Sequence, residues 1–93
     1  MRRVTPLESG ALLETKLMEG SSGSSFPKHR ASIESVLVVI AGRCIIRFSE
    51  VEHALEAGDS FVVPADDWHQ ITADSEFKAV HVMPKEIEFV FST

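Results

Sequence analysis

A single cysteine, Cys44, is all the thiol chemistry that this chain contains. It has no partner for an internal bridge and no second thiol for a zinc pair, which excludes a disulfide framework and a cysteine-bound zinc. A reducing, cytoplasmic setting is the matching expectation. Cations are scarce too: nine Lys and Arg face 14 Asp and Glu, and the resulting charge of −5 argues against docking on a phosphate backbone. No stretch approaches the ~20 apolar residues of a membrane span, and the opening MRRVTPLESGALLE lacks the apolar run of a secretory signal. Nucleic acid and membrane are therefore not expected as partners. Also missing are a glycine-rich phosphate loop and a serine nucleophile elbow.

What is present has the composition of a soluble globular domain, with 44% hydrophobic and 25% charged residues. At 93 residues the chain makes one domain, of a size that buries only about 60% of its unfolded surface and is marginally stable alone. Association into a homodimer is the corresponding expectation. Turn residues recur at short intervals. Ala11 to Met18 reads as a strand or a short helix, and Glu19 to Ser25 (EGSSGSS) as a loop. Val36 to Ile40 and Cys44 to Phe48, separated by Ala41, Gly42 and Arg43, read as a hairpin. Further strands are expected over Val51 to Leu55, Ser60 to Val63, Trp68 to Ala73 and Phe77 to Met83, with Ile87 to Phe91 as a terminal edge strand. Such a succession marks an all-β sandwich or barrel.

Val36 to Ile40 is apolar at every position, whereas a strand that lines one side of a small barrel should alternate. Its outer face needs a cover. An N-terminal strand folding back over it, a second subunit packing there, or both at once would supply one.

The stretch GDSFVVPADDWH, Gly58 to His69, carries the most specific pattern, and Gly23, His29 and Gly42 precede it at fitting distances. Gly23 is followed after five residues by His29, then by Ala31, Ser35 and Gly42. Gly58 is followed after five residues by Pro64, then by Asp66, His69 and Ala73. These spacings resemble the two motifs of the cupins. The resemblance implies a double-stranded β-helix, or jelly-roll, barrel with residues 1–22 as an N-terminal strand and loop, 23–83 as the barrel core and 84–93 as the terminal edge strand. In metal-binding cupins the positions held here by His29, Ala31, Ser35 and His69 carry three imidazoles and a carboxylate. Alanine cannot coordinate an ion and serine is a poor ligand, so two donors remain.

On that reading His29 and His69 face one pocket and are the candidate metal ligands. A third ligand would be Glu34, if a bulge turned it inward, or His81. Period two over Phe77 to Met83 puts His81 on the inward side opposite Lys78, as a ligand, a general acid or base, or an interior histidine with a backbone partner. Phe61, Trp68 and Met83 are candidates for the pocket wall, with core as the alternative. Gln70 faces away from His69, His53 is a surface or sheet-packing residue, and Cys44 is a buried small hydrophobe. Asp66 and Asp67 form a polar turn. The resemblance thus implies a stand-alone cupin that binds a small polar or anionic organic ligand in its lumen, with one divalent ion (Fe, Mn, Zn or Ni) or none. The alternative is a metal-dependent isomerase, lyase or dioxygenase acting on a small sugar acid or similar metabolite.

Overall fold

A computed structural model describes all 93 residues, and every regular element in it is a strand. Ten strands follow one another: β1 (Arg2–Ser9), β2 (Leu13–Gly20), β3 (His29–Ala31), β4 (Ser35–Ala41), β5 (Arg43–Arg47), β6 (Glu52–Glu56), β7 (Ser60–Val63), β8 (Gln70–Ala73), β9 (Phe77–Pro84) and β10 (Phe89–Phe91). One wall is a five-stranded sheet in the order β1-β2-β9-β4-β7. The other combines the three-stranded β6-β5-β8 and the two-stranded β10-β3, joined by an antiparallel bridge between His29 and His69. All pairings are antiparallel. The jelly-roll expected from the motif spacing is the fold observed.

Period-two patterning aims the core residues. On β4, Ser35, Leu37 and Val39 are buried while Val36 and Val38 are half-exposed, and on β9 Phe77, Ala79 and Met83 are buried while Lys78 is exposed. Leu37, Val39, Phe77 and Ala79 join Cys44 and Ile46 of β5, from the opposite wall, in a cluster of 12 buried residues. Each large aliphatic or aromatic side chain enclosed there contributes roughly 1.5–3 kcal/mol by leaving water. Burial pushes the Cys44 thiol up to about 11, so at neutral pH it is a hydrophobe and not a nucleophile.

Two expectations are corrected. The segments around Gly42 do not form a hairpin, because β4 pairs with β7 and β9 whereas β5 pairs with β6 and β8. Gly42, at φ 71°, turns the chain from one wall into the other, and Ala57 N–H donates to its carbonyl. The local hairpin in this region is β5 with β6, closed by Phe48 N–H donating to Val51 O at 2.8 Å. Short-range signals cannot distinguish a two-strand turn from a corner between sheets. The second correction concerns the N-terminus. β2 runs on to Gly20, and β1, whose RRVTPLES lacks alternation, is a strand that the sequence did not suggest. It continues the sheet in its own plane beyond β2 and does not fold over β4.

Asp66 takes the place where the resembling motif has glycine, and it adopts φ 61°, the left-handed region that Asp tolerates better than most side chains. Its N–H donates to Ala31 O at 2.7 Å and ties the Pro64 turn to β3. Gly42 and Gly58 share the left-handed region, but their surroundings differ. A Cβ at Gly42 would lie 1.8 Å from Glu76 O, whereas one at Gly58, at φ 96°, would meet nothing within 4 Å. Gly58→Ala is therefore expected to cost about 1–2 kcal/mol, the left-handed penalty alone, and Gly42→Ala about 4 kcal/mol or more. Urea unfolding of the two variants measures the difference, and equal losses would contradict the steric account.

Candidate functional site

The site starts from one backbone pair. His29 N–H donates to His69 O at 3.0 Å, and His69 N–H donates to His29 O at 2.9 Å, so the two residues sit directly opposite each other. Opposed residues of an antiparallel pair project to the same face, and the imidazole centroids are 4.5 Å apart at an interplanar angle of 63°. Each ring is held from behind in the same way. His29 Nδ1 lies 2.9 Å from Pro27 O, and His69 Nδ1 lies 2.9 Å from Asp67 O. A carbonyl oxygen only accepts, which assigns the proton to Nδ1 in both neutral rings and leaves the Nε2 lone pairs free. No buried side-chain nitrogen or oxygen lacks a partner. The unbonded Nε2 of His69, in a residue only 3% exposed, therefore opens onto the cavity beside it.

That cavity has a volume of about 180 Å³ and lies between the two walls. Besides His29 and His69 it is lined by His81 of β9 and Lys16 of β2, which face each other across the ladder. The rest of the wall is chiefly Met18, Leu37, Val63, Ile71 and Met83, with Phe89 and Phe91 of β10 at 5.4 and 5.5 Å from the His29 ring. No acidic side chain lines it. His81 Nε2 and Ser35 Oγ are 2.7 Å apart, so the serine at the motif's carboxylate position serves as the partner of this histidine. Burial, reinforced by His29, His69 and Lys16, lowers the His81 pKa to about 4. Burial also lowers that of His69, with the carbonyl of Asp67 opposing. At neutral pH these two imidazoles are uncharged, and Lys16 is the one lysine or arginine on the wall.

Of the residues singled out in the sequence, His29, His69, His81 and Met83 come together here. Phe61 and Trp68 do not line this cavity. Phe61 packs on Phe48 and His53, at ring distances of 6.0 and 4.8 Å. Trp68 precedes His69 by one residue and so points to the other side, where Arg30 stacks on it at 5.2 Å. Glu34 is exposed in the bend between β3 and β4, and Ser35 takes the inward place next to it. Gln70 turns away to donate to Phe26 O at 3.0 Å. Sequence reading did not single out Lys16, Phe89 or Phe91. Alternation in the terminal strand puts Phe89 and Phe91 on one face, and Lys16 would have been found on the face of Met18 had the ALLETKLM segment been assigned as a strand.

Cupins commonly hold a metal ion, and the donors present fit one incompletely. The tautomers of His29 and His69 suit coordination, with both rings oriented by carbonyls behind them. The third donor is missing, because His81 Nε2 is engaged with Ser35 and Glu34 is outside. No group of three or more His, Cys, Asp or Glu side chains is arranged to hold an ion. Two imidazoles alone bind a divalent ion weakly.

The lowered His81 pKa links stability to pH. Between pH 6.5 and about 4 the unfolded chain takes up a proton that folded His81 refuses, so stability is full above that window and falls as the pH drops through it. The loss is on the order of 3 kcal/mol. His81→Gln, which keeps a hydrogen-bonding group for Ser35, is expected to flatten this slope, leaving the smaller part due to His69. Denaturant midpoints across the window measure it, and an unchanged slope would exclude His81 as its source.

Several known proteins are similar to this chain. The family profile described as "Cupin domain" matches residues 14–83. Among solved structures, a cupin superfamily protein from Desulfitobacterium hafniense superposes with a TM-score of 0.82 at 19% identity, over 90% of this chain and 77% of that one. A cupin-2 domain containing protein from Shewanella frigidimarina gives 0.77 at 24% identity, over 87% and 80%. Salicylate 1,2-dioxygenase from Pseudoaminobacter salicylatoxidans, in a structure with gentisate, gives 0.86 at 14% identity, over 98% of this chain and 29% of that enzyme. These likenesses are of fold. No curated protein matches the chain significantly. With the profile spanning most of the chain and the same barrel observed in its structure, this protein belongs to the cupin domain family.

Proposed function

We propose that this cupin binds a small hydroxylated organic acid in its lumen. The observation that carries the reading is the chemistry of the cavity wall, which combines one ammonium, two outward-facing imidazole lone pairs and an otherwise apolar surface without any acid. Each part selects for something. An apolar wall favours a ligand with a hydrocarbon or aromatic body. A carboxylate taken into such a space needs a cationic partner, and Lys16 supplies it; its nearest acid, Glu14, is 3.9 Å away and compensates it poorly. The Nε2 atoms of His29 and His69 are acceptors in the neutral state, so they favour a ligand hydroxyl that donates to them. A bare carboxylate placed against them would face lone pairs.

His81 has a different part. Its Nε2 is already shared with Ser35, and its charge is suppressed, so it shapes the cavity between Lys16 and the histidine pair without adding a second cation. Phe89 and Phe91 cover the His29 ring and shield hydrogen bonds made there from water.

Salicylate carries both groups on an aromatic body and is a suitable first probe; the name of the dioxygenase neighbour contributes the same molecule, although that likeness is one of fold. Titration calorimetry is expected to rank salicylate above both benzoate, which lacks the hydroxyl, and salicylamide, which lacks the acid. Lys16→Gln should weaken salicylate about tenfold, the lower end for a charge-assisted contact at a partly exposed lysine, and leave salicylamide unchanged. His69→Phe should remove the advantage of salicylate over benzoate. Salicylate binding that survives Lys16→Gln at full strength would overturn the assignment.

A further inference from the structure

The backbone bridge that turns His29 and His69 into the lumen turns their chain neighbours the other way. On the outer side of the second wall this gathers Lys28, Arg30, Trp68 and Gln70, and Gln70 stands opposite Arg47 in the ladder of β5 and β8. Arg47 is outward for the same reason, since Ile46 beside it is buried. Lys28, Arg47, Ser49, Trp68 and Gln70, together with Phe48, line a cavity of about 130 Å³ that is separate from the lumen. No acidic side chain lines it. Arg30 stacks on Trp68 at 5.2 Å and brings a third cation to its border. Elsewhere Arg3, Lys16, Arg43 and Lys78 each pair with a carboxylate, whereas Lys28 and Arg30 belong to no ion pair. Glu52 meets Arg47 at Nε, 2.7 Å away, and this leaves the forked Nη end outside that contact. In a chain of net charge −5, three cations around one indole are a local reversal of sign.

We infer that this cavity is a second binding site, for a small phosphomonoester whose organic group rests against Trp68. A lysine and an arginine from two separate segments converge on one space, which suits an anion with two charges and several oxygens better than a single carboxylate. The planar guanidinium fork engages two phosphate oxygens at once, and the ammonium adds a point charge for a third. The Ser49 hydroxyl is a further donor, and Gln70 is held in place as it donates to Phe26 O at 3.0 Å. Trp68 gives the site an aromatic wall that an inorganic ion would leave unused. A polynucleotide does not suit this surface. The adjoining cavity shares Phe48 and Ser49 but carries Glu50 and Asp67, so a chain of phosphates that left the first cavity on that side would meet like charge. The site lies on the reverse of the wall that presents His29 and His69, and it is independent of what the lumen binds.

Trp68 is the one tryptophan of the chain and lines this cavity but not the lumen, so its fluorescence reports on this site. Titrations are made at constant ionic strength and about pH 8, where a phosphomonoester carries close to two charges. Phenyl phosphate is expected to give a saturable change at millimolar concentration or below, and inorganic phosphate, which lacks the ring, to bind about tenfold more weakly. Lys28→Gln and Arg47→Gln should each weaken phenyl phosphate about tenfold, the loss of one charge-assisted contact. Both residues are exposed, so circular dichroism should be unchanged in the two variants. Lys85→Gln, an exposed cation in the turn after β9, should bind as the unaltered chain does. The absence of a saturable change with phenyl phosphate overturns the inference, as does full affinity in both Lys28→Gln and Arg47→Gln. An equal loss in Lys85→Gln would reduce the effect to general charge attraction and overturn it too. Inorganic phosphate that binds as tightly as phenyl phosphate would overturn the assignment of an ester resting on Trp68.

Discussion

The reciprocal backbone pair between His29 and His69 is the constraint on which the second wall of this barrel depends. β3 and β10 form only a two-stranded ribbon, and β6, β5 and β8 form a separate ladder. The bridges at His29–His69 and Ser25–Thr72 join the ribbon's side of the molecule to that ladder, with Phe26 N–H donating to Ile71 O between them. The same two hydrogen bonds that continue the sheet fix the separation of the imidazoles. Site geometry here is therefore a by-product of sheet continuity, and it does not rely on a mobile loop finding its place.

The electrostatics of the lumen follow from burial more than from ion pairing. His81 and His69 are driven toward the neutral state by their surroundings, and the ion pairs of the molecule, such as Arg43–Asp74 and Arg47–Glu52, lie on its exposed surface. Lys16, whose nearest acid is Glu14 at 3.9 Å, is left as the one lysine or arginine beside the imidazoles of the lumen. A cavity of this kind discriminates by the pattern of donors and acceptors in a ligand, because few formal charges are available to attract anything indiscriminately.

Much of the architecture was legible in the sequence because its signals are local. Gly42, Gly58 and Pro64 each mark a turn, and β4 and β9 announce themselves through β-branched runs and alternation. The pairing of strands was less accessible. Gly42 looks like the turn of a hairpin because a corner between sheets uses the same left-handed glycine, and only long-range pairing tells the two apart. β1 escaped notice since Pro6 and the charged residues around it obscure any strand pattern. At the site, His29 and His69 were marked by motif spacing. Lys16 was hidden because the helix-forming residues around it left its segment unresolved, and Trp68 was misplaced by one step of alternation. The partnership of Ser35 with His81 joins residues 46 positions apart, and nothing local in either segment announces it.

Each edge strand of the large sheet has a proline in it or directly after it. Pro6 sits within β1, next to a register shift between Pro6 and Glu8, and Pro64 directly follows the four-residue β7. A proline offers no N–H to an incoming strand, and a bulge or a very short edge disrupts the row of open acceptors and donors. Lateral growth of the sheet, the route by which β domains polymerise into fibrils, is thus blocked on both sides.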